Sequence, residues 1–423
     1  MTENDNPEIS RRRLLGTVGA AGAAGLVIGA AGGVGVTTAV SGDSTPAATG
    51  AGGAPALSSV GATEVMFHGK HQAGITTPLQ SRGHLIAFDL APGAGRKEAV
   101  ALLRRWSATA KAVMSGEAAA DDTGIALDAG PSSLTVTFGF GRTFFDRTGL
   151  VARRPAGLDP LPAFSADALD PRRSEGDLWV QIGADDALVA FHALRALQKD
   201  AGDAARVRWQ MNGFNRSAGA TARPMTARNL MGQVDGTGNP KITDPDFGRR
   251  IFVPAGATGA EAWMAGGSYA VVRRIRMLLD DWEKLTLDRQ EKVIGRRKSD
   301  GAPLTGGTET TELDLDKRGP DGETVIPDNA HSRISAPEQN GGAAMLRRPF
   351  SFHDGIGPDG TPDAGLLFVC WQADPLRGFV PVQRKLDRGD ALSAFIRHEA
   401  SGLFAVPGGP AEGEYVGQRL LES

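Results

Sequence analysis

The chain has 423 residues, 41% of them apolar and 22% charged, with a formal net charge of −3. That length exceeds what one hydrophobic core commonly serves, so two domains are expected, and the near-balanced charge argues against nucleic-acid binding through counterion release. The single cysteine, Cys370, lies in the apolar run GLLFVCW, which excludes an internal disulfide and a cysteine-based metal site.

At the N-terminus, residues 14–42 carry no charge, but nine of these 29 residues are glycine, which makes a weak membrane span. The twin arginine, Arg11 and Arg12, followed by Leu14 and Leu15, resembles a Tat export signal, a route for proteins that are already folded and often loaded with a cofactor. Residues 1–56 are therefore expected to be a signal peptide and linker, which would leave the protein extracellular, periplasmic or bound to the cell envelope. A retained N-terminal anchor is the alternative.

Residues 57–220 then alternate strands and amphipathic helices. HLIAFDLA (84–91) reads as a strand, 96–114 as a helix with Val100, Leu103, Trp106 and Ala110 on one face, and 133–141 and 177–184 as strands. A helix over 186–201 and a strand over 205–214 complete the order strand, helix, strand, strand, helix, strand. This is the split βαβ, ferredoxin-like unit, an α+β fold with helices on one face of an antiparallel sheet. Residues 221–423 repeat it with insertions: strand 268–278, helix 287–295, strand 365–373 and helix 389–398. Between them the polar, Pro/Gly-rich stretch from Arg296 to Gln339 is too long for an ordinary connection, which points to function. An open sheet edge in such a fold is compatible with a homo-oligomer.

Seven histidines are present. His84 and His192 fall in a strand and a helix, where structural roles suffice. His68 and His71 are three apart but lack a companion cysteine or carboxylate cluster for metal binding. His331 is different, because it lies in the long polar stretch with Arg333 beside it and Arg347 and Arg348 downstream. A neutral imidazole with cations nearby suits an axial metal ligand close to an anionic group. Asp235, in GQVDGTGNP, is a lone carboxylate between glycines.

GQVDGTGNP resembles the GxxDG motif of the dye-decolourising peroxidases, and IPDNAHSRISAPEQNGGAAMLRRPFSF resembles that family's proximal-histidine segment running into its distal arginine. FHGKHQAGITTPLQ, LTVTFGFG, DLWVQIGADD, LRGFVPVQRKL and HEASGLFAVPGG extend the likeness over nearly the whole chain after residue 56, and export points to the subgroup that includes the deferrochelatases. The resemblance implies two ferredoxin-like halves, with one haem b (iron protoporphyrin IX) in the C-terminal half.

It also implies roles. His331 would be the proximal iron ligand, and a carboxylate on its other nitrogen, Asp390 in preference to Asp387 or Glu399, would push electron density toward the iron. Asp235 and Arg347 would lie on the opposite face, as base and cation for hydrogen peroxide cleavage. Arg333 would meet a haem propionate, and Gly236, Thr237, Phe368 and Gln383 would line the cofactor. Gly232 and Gly236 would let the backbone approach the porphyrin. Small-molecule reductants such as dyes or phenols would be the second substrate, and a haem-handling, iron-acquiring protein with little turnover is the rival reading. Six tryptophans and two tyrosines are candidates for electron transfer to the surface, but their patterns predict burial.

Overall fold

The computed structural model describes residues 58–221 and 225–422; the expected export signal lies outside the described residues. The first half runs β1 (Arg82–Leu90), α1 (Arg96–Met114), β2 (Thr135–Phe140), β3 (Leu178–Ala184), α2 (Ala187–Ala201) and β4 (Ala205–Phe214). Local chemistry sets these boundaries. Glu98 reaches back to accept the Gly95 amide at 2.9 Å at the start of α1, and Asp186 accepts the amides of Leu188 and Val189 at 2.8 and 2.9 Å at the start of α2. β1 pairs antiparallel with both β3 and β4, and β2 joins β3, so the order is β4-β1-β3-β2.

The second half runs β5 (Ser268–Met277), α3 (Leu287–Ile294), α4 (His331–Ser335), β6 (Leu346–Arg347), β7 (Phe350–Ile356), β8 (Pro362–Gln372), α5 (Phe379–Gly389) and β9 (Ile396–Val406). Its sheet repeats the first in the order β9-β5-β8-β7, with the short β6 paired to β8. The two sheets touch at one residue pair on each side, Phe140 with Ala405 and Phe214 with Ser351, which closes eight strands into a ring.

Alternation along the strands divides the interior. Leu85, Ala87, Trp179, Trp209 and Met211 of the first sheet pack against Val272, Phe350, Leu367, Val369, Trp371 and Phe404 of the second. Glycine makes room for this contact: a Cβ at Gly83 would lie 2.6 Å from the Phe350 ring, and one at Gly213 would lie 2.5 Å from the Phe350 Cβ. On the far face of the first sheet, α1 and α2 bury Leu102, Leu103, Trp106, Leu194 and Leu197. The far face of the second sheet, which carries Phe368 and Cys370, looks toward α5, whose Phe379 ring lies 6.1 Å from that of Phe368.

The second half corrects the sequence expectation. Residues 389–398 are not a helix: α5 ends at Gly389, a 3-10 turn covers Ala391–Phe395, and β9 begins at Ile396. The apolar spacing of Ala391, Leu392, Phe395 and Ile396 imitates a helical face, while Gly402 and the small residues beside it hide the strand. α5 was obscured by Pro381, which is tolerated because it sits in the first turn. Strand β7 is a further element that the periodicity does not predict. Among the described residues no helix is long and apolar enough to cross a membrane.

Candidate functional site

α4 begins at His331, directly after Ala330 in extended conformation. The imidazole Nδ1 lies 2.7 Å from Asp390 Oδ2, and since a carboxylate can only accept, Nδ1 carries the proton. That leaves Nε2 as the nitrogen able to bind a metal. Asp390 is fixed at its other oxygen, which accepts the Leu392 amide at 2.9 Å, and the Ala391 amide donates to Asn329 O at 3.0 Å, tying the two segments together. The other acids are engaged elsewhere: Asp387 accepts from the amide and hydroxyl of Ser165, both at 2.7 Å, and Glu399 pairs with buried Arg274. Of the three carboxylates weighed from sequence, Asp390 is the one that meets His331.

Burial works against the His331 imidazolium, yet Asp390 outweighs it, so the proton affinity of His331 stands above that of an ordinary histidine; Arg347 opposes this and Asp235 adds to it. Both of those residues therefore lie within electrostatic reach of the ring. Asp235 sits in a loop bounded by a bridge between Arg228 and Val234; its amide donates to Ala227 O at 2.9 Å, and Asn229 Nδ2 donates to its carboxylate at 3.3 Å. Arg347 ends β6 opposite Cys370, on the same sheet face as Phe368. Asn239 holds it three ways: Oδ1 accepts from the Arg347 amide at 3.0 Å and from Nε at 3.2 Å, and Nδ2 donates to Arg347 O at 2.8 Å.

The surroundings suit a flat apolar group. Phe368 is only half-buried between Leu367 and Val369, which are 1% and 0% exposed, and Ile334, Met345, Leu392 and Phe395 are likewise half-buried. The His331 side chain keeps 28% of its surface uncovered while Asp390 behind it keeps 2%. An apolar wall with a metal-competent nitrogen on one segment and an acid and a guanidinium on others fits a haem.

The other residues singled out from sequence have these protein partners. The Thr237 hydroxyl donates to Glu309 at 3.1 Å. Arg333 donates to Leu315 O at 2.5 Å and pairs with Asp328 at 3.3 Å, so the connection 296–330 supplies its protein partners. Gln383 is buried on α5, which packs along α4. Gly232 and Gly236 have φ of +78° and +128°, and a Cβ at Gly232 would lie 2.7 Å from Lys298, so backbone conformation and protein neighbours already account for both glycines. His71 stacks on Phe252 with ring centroids 3.5 Å apart and bonds Gly266 O, so it is occupied structurally. All six tryptophans and both tyrosines are at most 6% exposed, as their patterns predicted. Asn239 and Glu309 were missed from sequence: the first reads as half of an Asn-Pro turn, the second as one acid in a polar stretch.

A histidine backed by a buried carboxylate, with an acid and an arginine in its field and an apolar wall alongside, belongs to the haem-dependent oxidoreductases. Comparison narrows the class. The model for "Dyp-type peroxidase, N-terminal" matches residues 72–215 and that for "Dyp-type peroxidase, C-terminal" matches residues 226–411. A dye-decolorizing peroxidase of Thermobifida fusca is 45% identical over 434 residues, covering 100% of both chains, and a deferrochelatase of Yersinia pestis is 35% identical over 371 residues, covering 84% of this chain and 85% of its own. The crystal structure of a DyP-type peroxidase from Streptomyces coelicolor is 75% identical with a TM-score of 0.85, covering 88% of this chain and 100% of its own. The chain belongs to the Dyp-type peroxidase family, whose members are haem peroxidases acting on hydrogen peroxide and a reducing substrate.

Proposed function

We propose that the protein is an exported haem b peroxidase that reduces hydrogen peroxide and oxidises dyes, phenols or other small reductants, with His331 as axial ligand and Asp235 and Arg347 acting on the peroxide. The observation that carries this reading is the 2.7 Å contact between His331 and Asp390, with Asp235 and Arg347 both in the field of the same ring. Export rests on Arg11 and Arg12; lysine at both positions should hold the protein in the cytoplasm, and unchanged export would refute this part.

Bound haem would supply the redox-active iron at which the O–O bond is cleaved. Asp390 keeps the Nδ1 proton in place, so His331 presents Nε2 in one orientation and with raised basicity. Asp235 takes a proton from hydrogen peroxide and returns it to the departing oxygen. Arg347 offsets the negative charge that develops as the bond breaks, and Asn239 fixes the guanidinium so that little reorganisation is needed.

Absorption spectra of the wild type and His331→Ala, together with stopped-flow reaction of Asp235→Asn and Arg347→Leu with peroxide, test the assignment. His331→Ala should lose the normal ferric spectrum, and the other two should keep haem while slowing the peroxide reaction by roughly 10² to 10⁴-fold. A normal five-coordinate ferric spectrum in His331→Ala would remove the ligand assignment. Metal-free porphyrin appearing without peroxide turnover would instead place the chain with its deferrochelatase-named relatives.

A further inference from the structure

The connection from Arg296 to Ala330 does more than join α3 to α4, because it delivers one carboxylate to the Asp235 loop. Glu309 Oε1 accepts from the Thr226 hydroxyl at 2.5 Å and from the Thr237 hydroxyl at 3.1 Å. These threonines stand on either side of Asp235: Thr226 precedes Ala227, whose carbonyl receives the Asp235 amide, and Thr237 is two residues beyond the acid. One oxygen atom thus bolts together both limbs of the loop. The stem of Glu309 is packed as well, since a Cβ at Gly301 would lie 3.2 Å from Glu309 Cγ and 3.1 Å from Val234 Cβ. Arg296 holds the backbone at this point, donating to Glu309 O at 3.0 Å and to Gly301 O at 2.9 Å.

The bridge between Arg228 and Val234 ties the loop ahead of Asp235, and Glu309 adds the tie that spans the acid itself. Gly236, next to Asp235, has φ +128°, a region in which glycine has many alternatives. The charges also meet here: burial weakens the hold of the Arg296 guanidinium on its proton, Glu309 strengthens it and Arg347 weakens it.

We infer that Glu309 is a positioning residue, which fixes the Asp235 carboxylate by accepting from Thr226 and Thr237. This rests on the reading of Asp235 as the proton-transferring base. A hydrogen bond to an ionised acceptor that orients a catalytic group is worth about tenfold or more in rate when it is lost.

The test compares the haem-loaded wild type with Glu309→Ala, Glu309→Gln, Thr237→Val, Asp235→Asn and the Asp235→Asn/Glu309→Ala double variant. Two quantities are read: the second-order rate with hydrogen peroxide, and amide hydrogen exchange of the peptide covering residues 226–239. Glu309→Ala should slow the reaction about tenfold or more and speed exchange in that peptide, leaving peptides from β1 to β4 unchanged. Glu309→Gln, which keeps an oxygen acceptor, should recover to within about threefold of the wild type, and Thr237→Val should fall between. The double variant should be no slower than Asp235→Asn, because a residue that acts through Asp235 has nothing left to position. Wild-type rate in Glu309→Ala, or a double variant slowed by the product of the two single effects, overturns the inference. If Glu309→Ala does not fold, Glu309→Gln and Thr237→Val carry the same comparison. If Asp235→Asn itself reacts at the wild-type rate, the fault lies in the reading of the base, and the exchange measurement still decides whether Glu309 holds the loop.

Discussion

His331 owes its chemistry to what happens at its other nitrogen. The Asp390 carboxylate, only 2% exposed, fixes the tautomer and strengthens the ring as a donor. Asp390→Asn keeps the shape but removes the charge, so affinity for haem should fall about 10 to 100-fold, measured by titrating haem into the cofactor-free protein and following the Soret band. Unchanged affinity would mean that the pair only orients the ring. His331 and Asp235 were legible in the sequence because each sits in a polar or glycine-rich stretch that offers no packing role for it. The preference for Asp390 over Asp387 and Glu399 comes from the family resemblance, and the geometry agrees with it: Asp390 meets His331 across 59 positions, while the other two acids bond elsewhere. Arg333, two residues from His331, reads from sequence as a propionate partner, and its protein contacts to Leu315 O and Asp328 come from the long connection, which local sequence does not reveal.

Among the elements, the two-residue strand β6 and the loop at 226–239 depend on each other. Asn239 makes three hydrogen bonds to Arg347, two of them with the backbone, so it sets both where the strand lies and where the guanidinium points. Asn239→Ala should lower the rate with peroxide by about tenfold while leaving haem content unchanged, and adding Asn239→Ala to Arg347→Leu should cost nothing more. Additive losses would show that Asn239 acts on something else. The first half of the fold was legible because helix and strand periodicities there are clean and capped by Glu98 and Asp186. In the second half, a proline in the first turn of α5 and a glycine within β9 broke the local signal. Tertiary packing, which a periodicity argument does not see, restored both elements.

Across the whole molecule the halves are locked by packing and by a few buried polar ties. Arg348, next to Arg347, reaches the other half, donating to Gln80 at 2.8 Å and to Pro78 O at 3.2 Å. His398, on β9, is another buried polar group: burial and Arg273 drive its pKa down to about 3, with Asp387 partly opposing. Between that value and the ordinary value near 6.5 the unfolded chain binds a proton there and the folded chain does not, so this contribution is present above about pH 6.5 and is lost as pH falls. From pH 7 to pH 5 the group alone should cost about 2 kcal/mol of stability. Urea unfolding of the wild type and His398→Gln at the two pH values measures it, and an equal loss in both proteins would assign acid sensitivity to other groups.

Strand β8 works as a partition wall. Leu367, Val369 and Trp371 serve the seam between the sheets, while Leu366, Phe368 and Cys370 face the opposite chamber. Adjacent residues on one strand thus answer to unrelated demands: one set to cohesion of the molecule, the other to whatever is admitted beside the histidine. Reshaping that chamber is therefore a matter of every second residue, and a change of parity would trade its lining for collapse of the seam.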